Sequence, residues 1–131
     1  MIKEAYCSFR TAKLLKEKRF NEECVYFYDY YAESDDCVVC SNGKSINCNE
    51  FPTYYSMPTH QMAMAWLREV HNIYINIQPD FPSNKDYKMY WCWSAGILHK
   101  NCISMRANHC YLDTYEEATE AAIKYCLENL I

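Results

Sequence analysis

Glycine is nearly missing from this chain. Two glycines in 131 residues leave no glycine-rich loop to cradle a phosphate, and no serine elbow is present. No apolar run approaches the length that crosses a bilayer. Met1-Ile2-Lys3-Glu4-Ala5-Tyr6 contains no apolar signal core, so the expected compartment is the cytosol. An excess of positive charge is also missing. Thirteen Lys+Arg against seventeen Asp+Glu give a net charge of −4. That balance argues against nucleic acid as a partner, because binding a phosphate backbone needs a positive field.

Cysteine and tyrosine are the two excesses. The nine cysteines are Cys7, Cys24, Cys37, Cys40, Cys48, Cys92, Cys102, Cys110 and Cys126. An odd number in a reducing cytosol argues against a disulfide framework, and such thiols act as small buried hydrophobes, metal ligands or reactive groups. Thirteen tyrosines suit pleated, half-buried surfaces. At 50% hydrophobic and 23% charged the chain is globular, and its length fits one domain with its own core.

The pattern predicts a helix over Ser8 to Phe20, capped by Ser8, with Phe9, Ala12, Leu14 and Leu15 on its apolar side. Lys13, Lys16, Lys18 and Arg19 gather near its end, where the dipole favours cations. Cys24 to Tyr31 reads as a strand with Val25 and Phe27 on one face and Tyr26, Tyr28 and Tyr30 on the other. Residues 32–57 form an irregular or hairpin insertion. Within it, Asn42-Gly43 fits a tight turn between Cys37–Cys40 and Ser45–Cys48. Thr59 caps a second helix whose apolar face is Met62, Ala63, Trp66, Leu67 and Val70, and Asn72 stops it in the left-handed region. Ile73, Ile75 and Ile77 begin a strand, and Pro79 and Pro82 bracket the turn after it. Tyr87 to Ala95 is the next strand, Gly96 turns the chain, and another strand falls within Ile97 to Met105. Thr114-Tyr115-Glu116-Glu117 is a capping box that opens the final helix. The expectation is a single α+β domain spanning residues 1–131: one antiparallel sheet with three helices, in the order α-β(β)-α-β-β(β)-α.

Two groups of residues have metal-ligand chemistry. Cys37-x2-Cys40 with Cys48 and His60 offers four ligands of the kind zinc prefers, although the spacing from Cys40 to Cys48 is short for a zinc ribbon. His99, Cys102, His109 and Cys110 form a second, irregularly spaced set. The alternative for both is a collection of structural thiols and surface histidines. Asp35-Asp36 and Glu116-Glu117 lack the partner base that general acid–base chemistry needs. Tyr26, Tyr28 and Tyr30, joined across the sheet by Tyr90, present either a contact surface or a passive sheet face. Trp66 and the Trp91/Trp93 pair belong where helix meets sheet.

Three islands of sequence carry a resemblance. The first is Ser8-Phe9 leading into Thr11-Ala12-Lys13-Leu14-Leu15-Lys16-Glu17-Lys18, then Phe20-Asn21-Glu22 and Cys24. The second is Pro58-Thr59 followed by Trp66-Leu67-Arg68-Glu69-Val70-His71-Asn72-Ile73, and the third is Asp113-Thr114-Tyr115-Glu116-Glu117-Ala118 with Ala121 to Leu127. Together they resemble a family of small uncharacterised proteins carried by anaerobic gut bacteria and their phages. The resemblance implies a compact α+β domain of phage or mobile-element origin, located in the host bacterial cytoplasm, and supplies no functional residues. Two departures stand out. The family carries glycine before the phenylalanine at the end of the first helix, where this chain has Arg19, and the Cys37 to Cys48 segment is not a family feature.

The functional expectation is a non-enzymatic binding module for a host protein, with no cofactor, acting through Tyr26, Tyr28, Tyr30 and Tyr90. The alternatives are a binder of a small ligand or signalling nucleotide, with Lys44, Lys88 or Arg106 holding its phosphate, and a module stabilised by zinc at Cys37, Cys40, Cys48 and His60.

Overall fold

The computed structural model describes residues 1–29, 38–81 and 88–131. The chain divides into two compact units, Met1–Ala63 and Met64–Ile131. The α+β class, the three helices and the antiparallel strands are as expected. The single expected sheet is instead two three-stranded sheets, one in each unit.

In the first unit, Ser8 caps helix α1, Phe9–Glu17, by accepting the Thr11 amide at 3.3 Å. Thr11, Ala12 and Leu15 are its buried side. The helix stops before Phe20 because the next three residues form a Schellman turn. Arg19 donates to the Lys16 carbonyl and Phe20 to the Leu15 carbonyl, at 3.0 and 2.9 Å. This turn holds Arg19 at φ 67, the left-handed region in which a Cβ crowds the following carbonyl. A glycine would be unstrained there.

Strand β1, Tyr26–Asp29, is central, with β2, Val38–Cys40, on one side and β3, Tyr54–Ser56, on the other. Asn42 and Gly43 do form a tight turn, at φ 55 and 77. It does not join two strands that pair with each other. Cys40 lies opposite Tyr26 and Ile46 bridges Cys24, so one side of the turn pairs with β1 and the other with the residues just before it. Cys48 is consequently in a 3₁₀ turn, Cys48–Glu50, rather than in a hairpin. Asn49 anchors that turn. Its Nδ2 donates to the Phe20 carbonyl and its Oδ1 accepts the Ser56 amide, both at 2.8 Å.

Helix α2, His60–His71, crosses the division between the units. Thr59 caps it through the Met62 amide at 3.1 Å, and Asn72 ends it at φ 56. Its buried face is narrower than expected. Ala63, Trp66 and Leu67 are buried, whereas Met62 and Val70 are exposed.

The second unit is a meander of β4, Ile73–Asp80, β5, Tyr90–Leu98, and β6, Ile103–Leu112, followed by α3, Tyr115–Asn129. Thr114 accepts the Glu117 amide at 3.1 Å to open α3. Trp91 meets Tyr115 edge-on and Trp93 tilts against Tyr125, each with centroids 5.3 Å apart, so alternate β5 residues face α3. Ala118, Ala122, Ile123, Cys126 and Leu127 complete the helix's buried side. Full burial of Ile123 or Leu127 contributes about 1.5–3 kcal/mol each.

Two expected turns are strand interior. Pro79 pairs with Trp91 inside β4, which an edge strand tolerates because one side of its main chain lies outside the ladder. Pro82, the other half of that expected turn, falls outside the described residues. Gly96 sits within β5 at a shift in register. A Cβ there would lie 2.7 Å from Ile103 Cγ2 and 2.9 Å from the Ser104 carbonyl oxygen. Among the described residues no helix is long and apolar enough to cross a membrane.

Two substitutions should move stability in opposite directions. Arg19→Gly should stabilise the fold by roughly 1 kcal/mol by removing left-handed strain. Gly96→Ala should destabilise it by about 1–3 kcal/mol, because the neighbouring strand has to move. Denaturant midpoints at constant slope measure both.

Candidate functional site

The first unit contains an open cavity of about 290 Å³, whose lining includes Glu4, Tyr6, Glu23, Tyr26, Met57 and Met62. Main-chain pairing builds it. The Cys7 amide donates to the Pro58 carbonyl at 3.0 Å and the His60 amide to the Ala5 carbonyl at 2.9 Å, so residues 5–7 lie antiparallel to residues 58–60. The Met57 amide donates to the Tyr26 carbonyl at 3.0 Å. These bonds bring Tyr6, Tyr26 and Met57 into one wall. The two rings meet edge to face at 5.3 Å, a geometry contributing about 0.5–1.5 kcal/mol beyond burial.

Glu4 and Glu23 are exposed at this cavity. Burial, then the Glu4 charge, raises the Tyr6 phenol above its ordinary value, so Tyr6 stays neutral at pH 7. Cys24 lies in the wall with its sulfur 3.8 Å from Met62 Sδ. Burial, reinforced by Cys48, pushes the Cys24 thiol up to about 12. Burial also raises Cys48. The buried Ser56 hydroxyl makes no conventional hydrogen bond among the described residues, and its influence on both thiols opposes the shift. These sulfurs are protonated packing groups rather than nucleophiles.

The expected open tyrosine face requires correction. Tyr26 is half-buried at the cavity, but Tyr28 is only 3% exposed and its hydroxyl donates to the Cys7 carbonyl at 2.7 Å. The cause is α1, whose Phe9 ring stands 5.5 Å from Tyr28 and 5.4 Å from Tyr55. Ala12 and Met57 close the same cluster. Tyr30 lies outside the described residues. Tyr90 belongs to the other sheet, beside Tyr111 at 5.4 Å and under Lys88.

The basic end of α1 is also partly occupied. Lys16 Nζ donates to the carbonyls of Phe51 and Tyr54 at 2.7 and 2.6 Å and lies over the Tyr55 ring. It therefore ties α1 to the segment ending in β3.

Of the residues expected to hold zinc, Cys37 lies outside the described residues. Cys40 is exposed on β2, while Cys48 and His60 are buried, and the ligand atoms of these three do not converge. In the second set, His99 Nε2 lies 2.9 Å from Ser104 Oγ, and His109 and Cys110 are consecutive on β6 and therefore face opposite ways. Glu4, Tyr6 and Glu23 carry no signal in the sequence, because their segments are brought together by the bonds of residues 5–7 to 58–60 and of Met57 to Tyr26.

Tyr28→Ala should destabilise the chain by about 3–5 kcal/mol, as loss of a buried aromatic does. Tyr28→Phe, which removes the hydroxyl and its bond to Cys7, should cost about 1–2 kcal/mol. Equilibrium unfolding of the pair separates ring burial from the hydroxyl.

No protein-family model, curated protein or solved structure matches the chain, so the reading of this site rests on its own geometry.

Proposed function

We propose that the chain is a binding module whose first unit receives a basic side chain, lysine or arginine, of a protein partner in the Tyr6–Tyr26 cavity. The observation that carries this reading is the pairing of two carboxylates, Glu4 and Glu23, with two tyrosine rings around one open cavity. Carboxylates attract a cation, and aromatic faces hold it through their negative quadrupole. Met57 and Met62 supply adaptable apolar contact for the stem of such a side chain. In the setting implied by the sequence resemblance, the partner is a protein of the bacterial host.

Size and charge weigh against the nucleotide alternative. The cavity lies at the lower end of the roughly 300–1,000 Å³ typical of small-molecule sites. Among the described residues lining it there is no lysine or arginine to meet a phosphate. Lys88, one of the cations considered for that role, donates to Asp113 at 2.8 Å.

Isothermal titration with a Lys/Arg-rich peptide and an acidic peptide of equal length tests the reading. The basic peptide should bind, with affinity falling as salt rises. Glu4→Gln combined with Glu23→Gln should weaken it roughly tenfold and flatten the salt dependence. Tyr26→Ala should weaken it by about 0.5–2 kcal/mol. Equal binding of the acidic peptide, or unchanged affinity in the double carboxamide variant, would refute the assignment.

A further inference from the structure

In the second unit, three ligating side chains converge, and of them only Cys110 belongs to a set expected from the sequence. Asp80 ends β4, Cys92 lies on β5 and Cys110 on β6, and their ligand atoms all lie within 4.8 Å of one another. Strand register accounts for the meeting. Gln78 pairs with Cys92 and Asp80 with Tyr90, which places Asp80 and Cys92 on one face of the sheet as diagonal neighbours. On the other side, Trp91 pairs with Leu112 and Trp93 with His109. Cys92 therefore stands opposite two residues, Cys110 and Tyr111.

That two-against-one arrangement is a β-bulge, with Tyr111 at φ 68. The bulge sets Cys110 against Cys92. Trp91 and Trp93, which alternate with Cys92, turn toward α3, so the trio occupies the opposite face. Cys92 is 4% exposed while Asp80 and Cys110 are half-buried. The group is thus anchored at one end and reachable at the other.

We propose that Asp80, Cys92 and Cys110 form a binding site for a thiophilic divalent cation, zinc by its chemistry. Two sulfurs and a carboxylate oxygen suit zinc, whereas magnesium and calcium call for oxygen ligands throughout. Tetrahedral zinc, with bonds of about 2.3 Å to sulfur and 2.0–2.2 Å to oxygen, sets its ligand atoms roughly 3.5–3.8 Å apart. The trio reaches that geometry by small rotations of side chains on paired strands. Three protein ligands leave a fourth position for water or an incoming ligand. On binding, both thiols become thiolates and their protons pass to the buffer. The site lies in the second unit and is independent of the cavity and of its proposed role.

The test uses the full chain, reduced and stripped with chelator, titrated with Co²⁺ as a spectroscopic stand-in. One Co²⁺ per chain should bind, giving thiolate-to-metal charge-transfer absorption in the near ultraviolet and tetrahedral bands in the visible. Stoichiometric Zn²⁺ should bleach both. Cys110→Ser should remove at least half of the charge-transfer intensity. Asp80→Asn should keep the thiolate band but weaken binding roughly tenfold or more. Cys40→Ser and Cys102→Ser, which alter exposed thiols elsewhere, should change nothing. Absence of the charge-transfer band in the parent chain, or its full persistence in Cys110→Ser, overturns the assignment, as does loss confined to the Cys40 and Cys102 variants. If circular dichroism shows that Cys110→Ser does not fold, Asp80→Asn decides, and unchanged Co²⁺ affinity in that variant overturns the site.

Discussion

The first unit depends on the double pairing of β1. Within Tyr26–Asp29, residues Tyr26–Tyr28 pair with β2 along one side and Phe27–Asp29 with β3 along the other. A strand held between two neighbours has no free edge, and α1 covers one of its faces at the centre. Tyr28 is consequently buried, and on the opposite face Phe27 is buried with its ring 4.4 Å from that of Tyr54. Burial relaxes at both ends of the strand, and Tyr26 stands at its start. There Tyr26 still receives the Met57 amide through its carbonyl while its ring reaches Tyr6 and the cavity. One strand thus contributes to the core through Tyr28 and to the candidate site through Tyr26.

What was legible in the sequence was local. Ser8, Thr59 and Thr114 cap the helices assigned to them, because a side-chain oxygen needs only the amides two or three residues ahead. Asn72 ends α2 for the same short-range reason. What was not legible was which strand lies beside which. Alternation put Tyr26 and Tyr28 on one face correctly, but alternation carries no information on whether a helix covers that face. Asn42-Gly43 turns as its residues dictate, yet the segments flanking it pair with β1 and with Cys24 just before it rather than with each other. The local meaning of Gly96 is a turn. Its role is set by Ile103 and Ser104 across the ladder, a contact that no window of sequence contains. The cavity divides in the same way. Tyr26 was visible as an aromatic strand residue, whereas its partners Tyr6, Glu4 and Glu23 are assembled by pairing between distant segments.

Scarcity of glycine has a structural counterpart. Five described residues adopt positive φ, and only Gly43 among them is glycine. Asn42 and Asn72 are suited to the left-handed region by a short polar side chain. Arg19 and Tyr111 are not, and each is held there by main-chain geometry, a Schellman turn in one unit and a bulge in the other. Strain of this kind persists where the surroundings over-determine it. At Tyr111 the surroundings include the two thiols that the bulge brings face to face.

Pro79 bears on how the second sheet meets other chains. An outer strand offers unpaired amides and carbonyls on which a further strand can grow, and that is a common route to unwanted assembly. β4 is such a strand, eight residues long, and Pro79 lies near its end without an amide hydrogen to offer. A strand adding itself to this edge would lose a rung of its ladder there. Pro79 thus makes this edge a poorer template for a further strand.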